Sequence, residues 1–459
     1  MNYLNDDTIA ALSTATGESA LAVIRLSGEN AFQIVNKIFQ TKSKPQQQVK
    51  YGYIIDKAEK KDEVLCTFFK APRTYTGENL VEISLHGNPV IINETLNLLY
   101  KNGARPANPG EFTYRAFLNG KKDLAEAEAI CNLIASKTVT SAKVALNNIS
   151  GYFSQKIKNI RDSVTNLIAF IEANLDHPEE NVIFLSHDKK ITLLDSCIHD
   201  VQKLLASYKT GKFLQSGIKV AIIGKPNTGK SSLFNAILGR NKAIVTNIAG
   251  TTTDTIEESV IYNGVQLIIK DTAGIRKRTK NSIEVLGHKK TKEAIETSDT
   301  LIWLFDASCQ LDKNDIKIYN LLKKLKLNIP IICIINKIDL PVKLLFETSL
   351  NLRLLFSAII KISVKTEIGI CDLLNEITKI TNTDAQNNYL MINSRHFALL
   401  QNVLDALIKT KTLITTEDNN DEIVCFEATQ AQTALNEILG INIKQEILDT
   451  IFSTFCIGK

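Results

Sequence analysis

Apolar positions in the first 118 residues come in short, strand-like blocks with one helical interruption. ALAVIRLSG (20–28) is a β-branched run ending in glycine. AFQIVNKIF (31–39) then places Phe32, Val35 and Phe39 about one helical turn apart. VKYGYII (49–55), EVLCTFF (63–69) and LVEISLHG (80–87) read as further strands, separated by Gly, Pro and charged residues. Residues 1–118 are expected to form a mixed α/β domain.

The pattern changes after LNGKKD. LAEAEAICNLIASKT is rich in Ala, Glu and Leu, which favour helix. Ile157, Ile160, Val164, Leu167 and Ile171 recur at spacings of three and four, and Ile191, Leu194, Ile198, Val201 and Leu205 nearly do. Pro178 with Glu179 and Glu180 breaks the two series. From 216 to 382 the pattern is short apolar strands (KVAIIG, VQLIIKD, TLIWLFDA, IPIICIINK) alternating with helices, the signature of a mainly parallel sheet covered on both faces. Helix returns in 383–459, with stripes at Phe397, Leu400, Leu404, Leu407 and Ile408, and at Leu448, Ile451, Phe452 and Phe455. The expected organisation is an α/β domain (1–118), a helical bundle made of 119–215 and 383–459, and an α/β domain (216–382) inserted into that bundle.

Composition alters this picture little. The 459 residues are 44% hydrophobic and 22% charged, ordinary globular values that call for several domains. A net charge of +5 on so long a chain permits a nucleic-acid partner without arguing for one. None of the eight cysteines forms a CxxC pair, which argues against a zinc ribbon or a thioredoxin-like site. The absence of a disulfide-like framework, a signal peptide or an apolar run of ~18 residues leads us to expect a cytoplasmic protein with no membrane association.

The chemistry concentrates in the inserted domain. GKPNTGKS (Gly224–Ser231) follows a strand and opens a helix, the context a phosphate-binding P-loop requires. Asn227, Thr228, Gly229, Lys230, Ser231 and Ser232 are the candidate phosphate contacts, with Lys230 on the β- and γ-phosphates and Ser231 on Mg²⁺. DTAG (Asp271, Thr272, Ala273, Gly274) ends a second strand, where Asp271 can hold Mg²⁺ through water and the Gly274 backbone can contact the γ-phosphate. NKID ends a third: Asp339 suits the N1 and exocyclic amine of guanine, supported by Asn336 and Lys337. Adenine would leave that carboxylate unpaired, a mismatch worth ~10⁴ in discrimination. In AGTTTD, Thr251 or Thr252 can ligate Mg²⁺ when the γ-phosphate is present, and Thr252 is the choice. The last base-binding loop is placed at Ser363, Val364 and Lys365, with Ser357–Ile359 as the competing site. The fold class is thus α/β and α, with a Ras-like P-loop G domain that binds and hydrolyses GTP.

Outside that domain, DTIAALSTATGESALAVIRLSG (7–28), APRTYTGENLVEISLHGN (71–88), PGEFTYRAFLNGKKDLAEAEAI (109–130) and the final FCIGK (455–459) resemble segments of the MnmE (TrmE) family of tRNA modification GTPases. The resemblance spans essentially the whole chain. It implies a homodimer that works with the flavoprotein MnmG (GidA), in a heterotetramer-type complex, on the wobble uridine of certain tRNAs. There the pair installs a (carboxymethyl)aminomethyl group at carbon 5. A reduced folate such as 5,10-methylenetetrahydrofolate supplies the one-carbon unit, and the N-terminal domain resembles folate-binding proteins and mediates dimerisation. By position, Arg25, Glu82, Lys121 and Lys459 match residues lining the folate site. Arg and Lys suit the folate carboxylates and Glu82 the pterin amine. From the residues alone, Arg25 would read as a surface charge beside a turn.

The resemblance also implies K⁺-dependent hydrolysis without an arginine finger. Asn227 matches the K⁺-ligating side chain, and Thr246, Ile248 and Thr251 the loop that adds oxygens. Asn247, Ala249 and Gly250 complete that loop. Glu284 matches the glutamate that orients the attacking water and acts with Lys230 in catalysis. The chain departs from the family at Thr253, Asn247 and Val364, in the DTAG-to-Glu284 spacing, one residue longer than usual, and in ATQAQTAL (428–435). The basic run RKRTK (276–280) is ordinarily a solvated loop. Cys456 either takes part in the one-carbon chemistry or is an inert buried thiol. Two rival readings stand beside this one: a ribosome-assembly RNA-binding GTPase and a non-hydrolysing GTP- or folate-binding scaffold.

Overall fold

A computed structural model describes residues 7–44, 46–176, 186–240, 257–271, 292–325, 328–344, 355–381, 390–416 and 421–459. The chain divides into two compact units. One comprises residues 1–131, 147–202 and 398–459, and the other residues 132–146 and 203–397.

The first unit is built on seven strands: β1 (Thr8–Leu12), β2 (Ser19–Ser27), β3 (Phe39–Thr41), β4 (Val49–Asp56), β5 (Glu59–Phe69), β6 (Leu80–Gly87) and β7 (Ala104–Pro106). Their order is β3-β4-β5-β6-β2-β1-β7, antiparallel except that β7 runs parallel to β1. Strand alternation sorts the two faces. Ala22, Ile24 and Leu26 of β2, with Val81, Ile83 and Leu85 of β6, point to a core shared with helices Ala31–Ile38 and Pro89–Lys101. Arg25 and Glu82 fall between them and so take the opposite face, paired in register. The expected helix 31–39 stops at Ile38, because Phe39 pairs with Ile54 and starts the edge strand β3.

Helices follow the sheet. Ile157, Ile160, Val164, Leu167 and Ile171 are buried along helix Tyr152–Asp176, as their spacing requires. In helix His187–Ser216 the buried stripe is Leu194, Cys197, Val201 and Leu204, so Ile198 and Leu205 lie one position off the seam. In helix Ser394–Thr415, Val403 is buried and Ile408 is 44% exposed, which shifts the expected stripe by about one residue. Tyr114, Leu124, Ala127, Leu448, Phe452 and Phe455 form a separate cluster that seats helix Gln445–Ser453.

The second unit holds six strands: β8 (Ile218–Ile223), β9 (Glu257–Tyr262), β10 (Val265–Asp271), β11 (Thr300–Asp306), β12 (Ile331–Asn336) and β13 (Ala358–Lys361). Their order is β13-β12-β11-β8-β10-β9, parallel except for the β9–β10 hairpin. Strand β11 is buried along its whole length. Ile302 and Leu304 face helices Lys230–Arg240 and Ile370–Thr378, whereas Leu301, Trp303 and Phe305 face helix Lys313–Leu325. Val144, Ala145, Phe213 and Leu214 join the first of these cores, which is why residues 132–146 belong to this unit. Among the described residues no helix is long and apolar enough to cross a membrane.

Trp303 is the single tryptophan and reports on this unit alone. Leu267 in β10 is fully buried, so Leu267→Ala should cost about 2–5 kcal/mol. Ile359→Ala, at a side chain 44% exposed, should cost no more than about 0.5 kcal/mol. Urea unfolding followed by Trp303 fluorescence checks both, and equal midpoints would contradict this packing.

Candidate functional site

Parallel strands bring loops to one edge of the sheet, at their C-terminal ends. β8 leads into Gly224–Ser231, and helix Lys230–Arg240 begins inside that segment. A Cβ on Gly224 would press on the Leu304 carbonyl, and one on Gly229 (φ +99°) would overlap the Asn336 amide nitrogen. Only glycine lets the loop wrap this closely. Lys230 Nζ donates to the carbonyls of Gly224 (2.9 Å) and Lys225 (2.6 Å), and Thr228 Oγ1 to that of Lys225 (3.0 Å). Ser231 and Ser232 stand at the start of the helix, both exposed. Behind the loop, Lys225 Nζ reaches Asp315 (3.0 Å), Asp312 (3.2 Å) and the Gln310 carbonyl (3.1 Å).

β12 ends at Asn336, only 2% exposed. Its Nδ2 donates to the Thr228 carbonyl (2.9 Å), and its Oδ1 accepts from Val364 N–H (3.1 Å). Lys337 sits in left-handed backbone (φ +64°), a strain of about 1–3 kcal/mol for a residue of this kind. Its ammonium is held by Asp306 Oδ2 (2.6 Å) and the Asn227 carbonyl (2.9 Å). Burial alone would raise the Asp306 carboxyl, but hydrogen bonds from Lys337 and Ser308 outweigh it and hold it below the usual range. The Ser363 hydroxyl donates to Asp339 Oδ1 (2.7 Å), which keeps that carboxyl low. Lys365 is exposed on the same loop.

The structure therefore gathers Asn227, Thr228, Gly229, Lys230, Asn336, Lys337, Asp339, Ser363 and Val364 around one edge. Ser357 lies at the other end of β13, where its hydroxyl donates to the Ile331 carbonyl (3.1 Å). Asp271 ends β10 beside Ile222, so its backbone reaches the same edge. Thr246, Asn247, Ile248, Ala249, Gly250, Thr251, Thr252, Thr253, Thr272, Ala273, Gly274, the 276–280 run and Glu284 lie outside the described residues, as do Pro178, Glu179 and Glu180. Lys225 and Asp306 were not singled out from the sequence. The signal for Asp306 was there, because it ends β11 just as Asp271 and Asn336 end their strands.

A second constellation lies on the first unit's sheet. Arg25 Nε and Nη2 donate to Glu82 Oε1 at 3.0 and 2.6 Å. The guanidinium stands 5.2 Å from the Tyr75 ring and 5.7 Å from the Phe112 ring. Arg25 is 14% exposed in its side chain, which overturns the surface-charge reading: it lies within β2, two residues before its end, flanked by those rings. Phe112 N–H donates to the Lys459 carbonyl (3.2 Å) and Gly110 N–H to that of Cys456 (3.3 Å), so the 456–459 segment docks beside this face. Lys121 lies on the exposed turn after helix Glu111–Leu118, its N–H on the Ala116 carbonyl. The Cys456 residue is exposed, which is at odds with a buried thiol. Burial pushes the neighbouring Cys131 thiol up to about 12.

Two family models match. One, described as MnmE helical domain, covers residues 124–456, and the other, GTP-binding protein TrmE N-terminus, covers residues 8–121. The tRNA modification GTPase MnmE of Endomicrobium trichonymphae is 69% identical over 460 residues, covering 100% of both chains. That of Aquifex aeolicus (strain VF5) is 39% identical over 456 residues, covering 99% of this chain and 100% of the relative. A solved structure of an Aquifex aeolicus Era variant bound to GDP.AlF4- is 30% identical and covers 43% of this chain and 66% of that one, with a TM-score of 0.27, too low for the superposition to carry an argument.

Gly229→Ala should weaken guanine-nucleotide binding at least ~100-fold in a fluorescent-GDP titration, since the new Cβ must displace the Asn336 amide. The Asp306 pair gives a pH test. A depressed carboxyl stabilises above its unfolded pKa of about 3.9, and that gain is lost as pH falls through the folded value. Asp306→Asn should therefore lower the Trp303-monitored unfolding midpoint at pH 7, and the difference from the wild type should shrink below about pH 4.

Proposed function

The chain belongs to the MnmE (TrmE) family of tRNA modification GTPases, and from that premise we propose a specific role for it in wobble-uridine modification. It hydrolyses GTP as a cytoplasmic homodimer in a heterotetramer-type complex with the flavoprotein MnmG (GidA). The complex installs a (carboxymethyl)aminomethyl group at carbon 5 of the wobble uridine of certain tRNAs, using a folate one-carbon unit.

The observation that carries the GTP half is the Asn336 amide joining the P-loop to the 363–364 loop. Between those loops a purine base and its phosphates have separate partners. Asp339 accepts from the guanine N1 and amine hydrogens, and its low carboxyl stays ionised near neutral pH. Lys230, the P-loop amides and the helix start draw in phosphate oxygens. A Cβ at Gly229 would overlap the Asn336 amide, so the loop keeps this conformation beside Asn336 only with glycine there. Mg²⁺, when bound, neutralises phosphate charge, with Ser231 and Thr252 as its protein ligands. K⁺ would take oxygens from Asn227, Thr246, Ile248 and Thr251 and supply the charge that an arginine finger provides elsewhere, worth ~10³–10⁵ in rate. Glu284 orients the attacking water.

Folate is assigned to the face of Arg25 and Glu82. That donor set fits one end of the ligand: the Glu82 carboxylate suits pterin N–H groups, the Arg25 guanidinium beside it adds N–H donors, and the Tyr75 and Phe112 rings are flat apolar walls. Lys459 and Lys121 add cations, and exposed Cys456 lies on the docked segment. The division into residues 1–118, 119–215 with 383–459, and 216–382 is proposed as the functional one: folate binding and dimerisation, helical support, and GTP switching.

Mass spectrometry of wobble uridine in cells lacking this gene should show loss of the carbon-5 aminomethyl group. Wild type should restore it and Lys230→Ala should not. Single-turnover GTP hydrolysis should fall at least ~10-fold when Na⁺ replaces K⁺. Unchanged wobble uridine on deletion would remove the modification reading, and equal rates in the two ions would remove the K⁺ site.

A further inference from the structure

We propose that Glu111 is a positioning residue for the folate site: it never reaches folate, yet it holds the 456–459 segment against the Arg25–Glu82 face. The inference rests on the folate reading above.

Glu111 is fully buried. Its carboxylate accepts from Arg105 Nη1 and Nη2 (3.0 and 2.7 Å), from Arg115 Nη2 (3.1 Å) and from the Asn108 N–H (2.8 Å). The same guanidiniums are held from their other sides. Asp7 takes Arg105 Nε (2.6 Å) and Arg115 Nη2 (2.5 Å), and Glu78 takes Arg115 Nη1 (3.2 Å). Glu78 also accepts from Ser27 Oγ (2.7 Å), two residues from Arg25 on the same face of β2. Five charged side chains thus tie β1, β2, β7, the 74–78 loop and the start of helix Glu111–Leu118 into one body.

Such a network is a poor way to gain stability, because removing charges from water costs nearly as much as pairing them returns. What it does secure is geometry. The clamped turn carries the Gly110 and Phe112 N–H groups that hold the carbonyls of Cys456 and Lys459. It also carries the Phe112 ring beside Arg25, while the 74–78 loop carries the Tyr75 ring. Gly110 has φ +69°, and a Cβ there would press on Phe452 O (2.8 Å) and Phe455 Cβ (2.9 Å), so this turn and the segment before Cys456 are fitted to each other. Ser13 Oγ adds a bond to the Gly458 carbonyl (3.0 Å) from the other side. One carboxylate thereby sets both the aromatic walls and the docked segment.

The test uses the full chain, with 5-formyltetrahydrofolate as probe, and two variants. Glu111→Gln keeps the volume and removes the charge. Ser13→Ala removes one bond to the docked segment and leaves the network intact. Glu111→Gln should weaken folate binding by calorimetry ~10-fold or more and speed deuterium exchange in 455–459, with GTP turnover within about twofold of wild type. Ser13→Ala should act in the same direction, by ~3-fold. A folded Glu111→Gln protein with a lower Tm but wild-type exchange and affinity would overturn the proposal, since that is the mark of a purely structural role. If Glu111→Gln does not fold, Ser13→Ala decides, and faster exchange with unchanged affinity overturns it. Absence of folate binding by the wild type removes the folate reading instead, which the exchange of 455–459 does not depend on.

Discussion

One buried amide sets the geometry of the nucleotide edge. Asn336 is the last residue of β12, a strand flanked by β11 and β13, so the sheet itself fixes where its side chain starts. From there its two polar ends bind two different loops, the carbonyl of Thr228 and the N–H of Val364. An amide is suited to this because it donates and accepts at a fixed spacing, and it carries no charge to desolvate. Gly229 follows as a consequence, since any side chain there would occupy the space of the Asn336 nitrogen. Lys337 continues the arrangement by joining Asp306 of β11 to the Asn227 carbonyl, and the strain of its backbone is carried by those two charge-assisted bonds. The ends of β8, β11 and β12 are thereby cross-linked by side chains as well as by the sheet.

The first unit solves a similar problem with charge. Three carboxylates and two guanidiniums do at the Asp7–Arg105–Glu111–Arg115–Glu78 cluster what one amide does at Asn336. The reason lies in topology. The segments to be joined there are an edge strand, two loops and a helix start, with no shared sheet end to place a short side chain within reach of all of them. Long side chains with several hydrogen-bonding directions can span the gaps. Arginine, with five donors in a rigid fork, keeps its geometry while doing so.

How much of this could be read from the chain depends on how local each determinant is. The P-loop, NKID and strand alternation are encoded within a few residues, and β6 and the buried stripe of helix Tyr152–Asp176 occur where periodicity put them. The two helices with a one-residue offset show the limit. Each has apolar residues on both sides of the seam, as at Cys197 and Ile198, and only the neighbouring helix decides which is covered. Ser357 and Ser363 are equally plausible by composition, and strand direction separates them, because a parallel β13 carries Ser363 and not Ser357 to the end where Asn336 stands. Arg25 was opaque for a similar reason. Its partner Glu82 is distant in the chain, and only the β2–β6 register makes them neighbours.

The two constellations also differ in what they leave for a ligand to do. At the NKID end, Asn336 is already held by Thr228 and Val364, Lys337 by Asp306 and Asn227, and Asp339 by Ser363, so little conformational freedom remains to be lost on binding. At the phosphate end, Lys230 donates to carbonyls of its own loop, and phosphate oxygens must replace those acceptors. A base bound at the first end would meet a preformed edge, while a phosphate bound at the second would exchange one set of partners for another. The Arg25 guanidinium is in the second situation, with two of its donors on Glu82. A group that drew off only one partner would leave the other member of this half-buried ion pair unmatched, so a ligand there would have to offer a donor and an acceptor together.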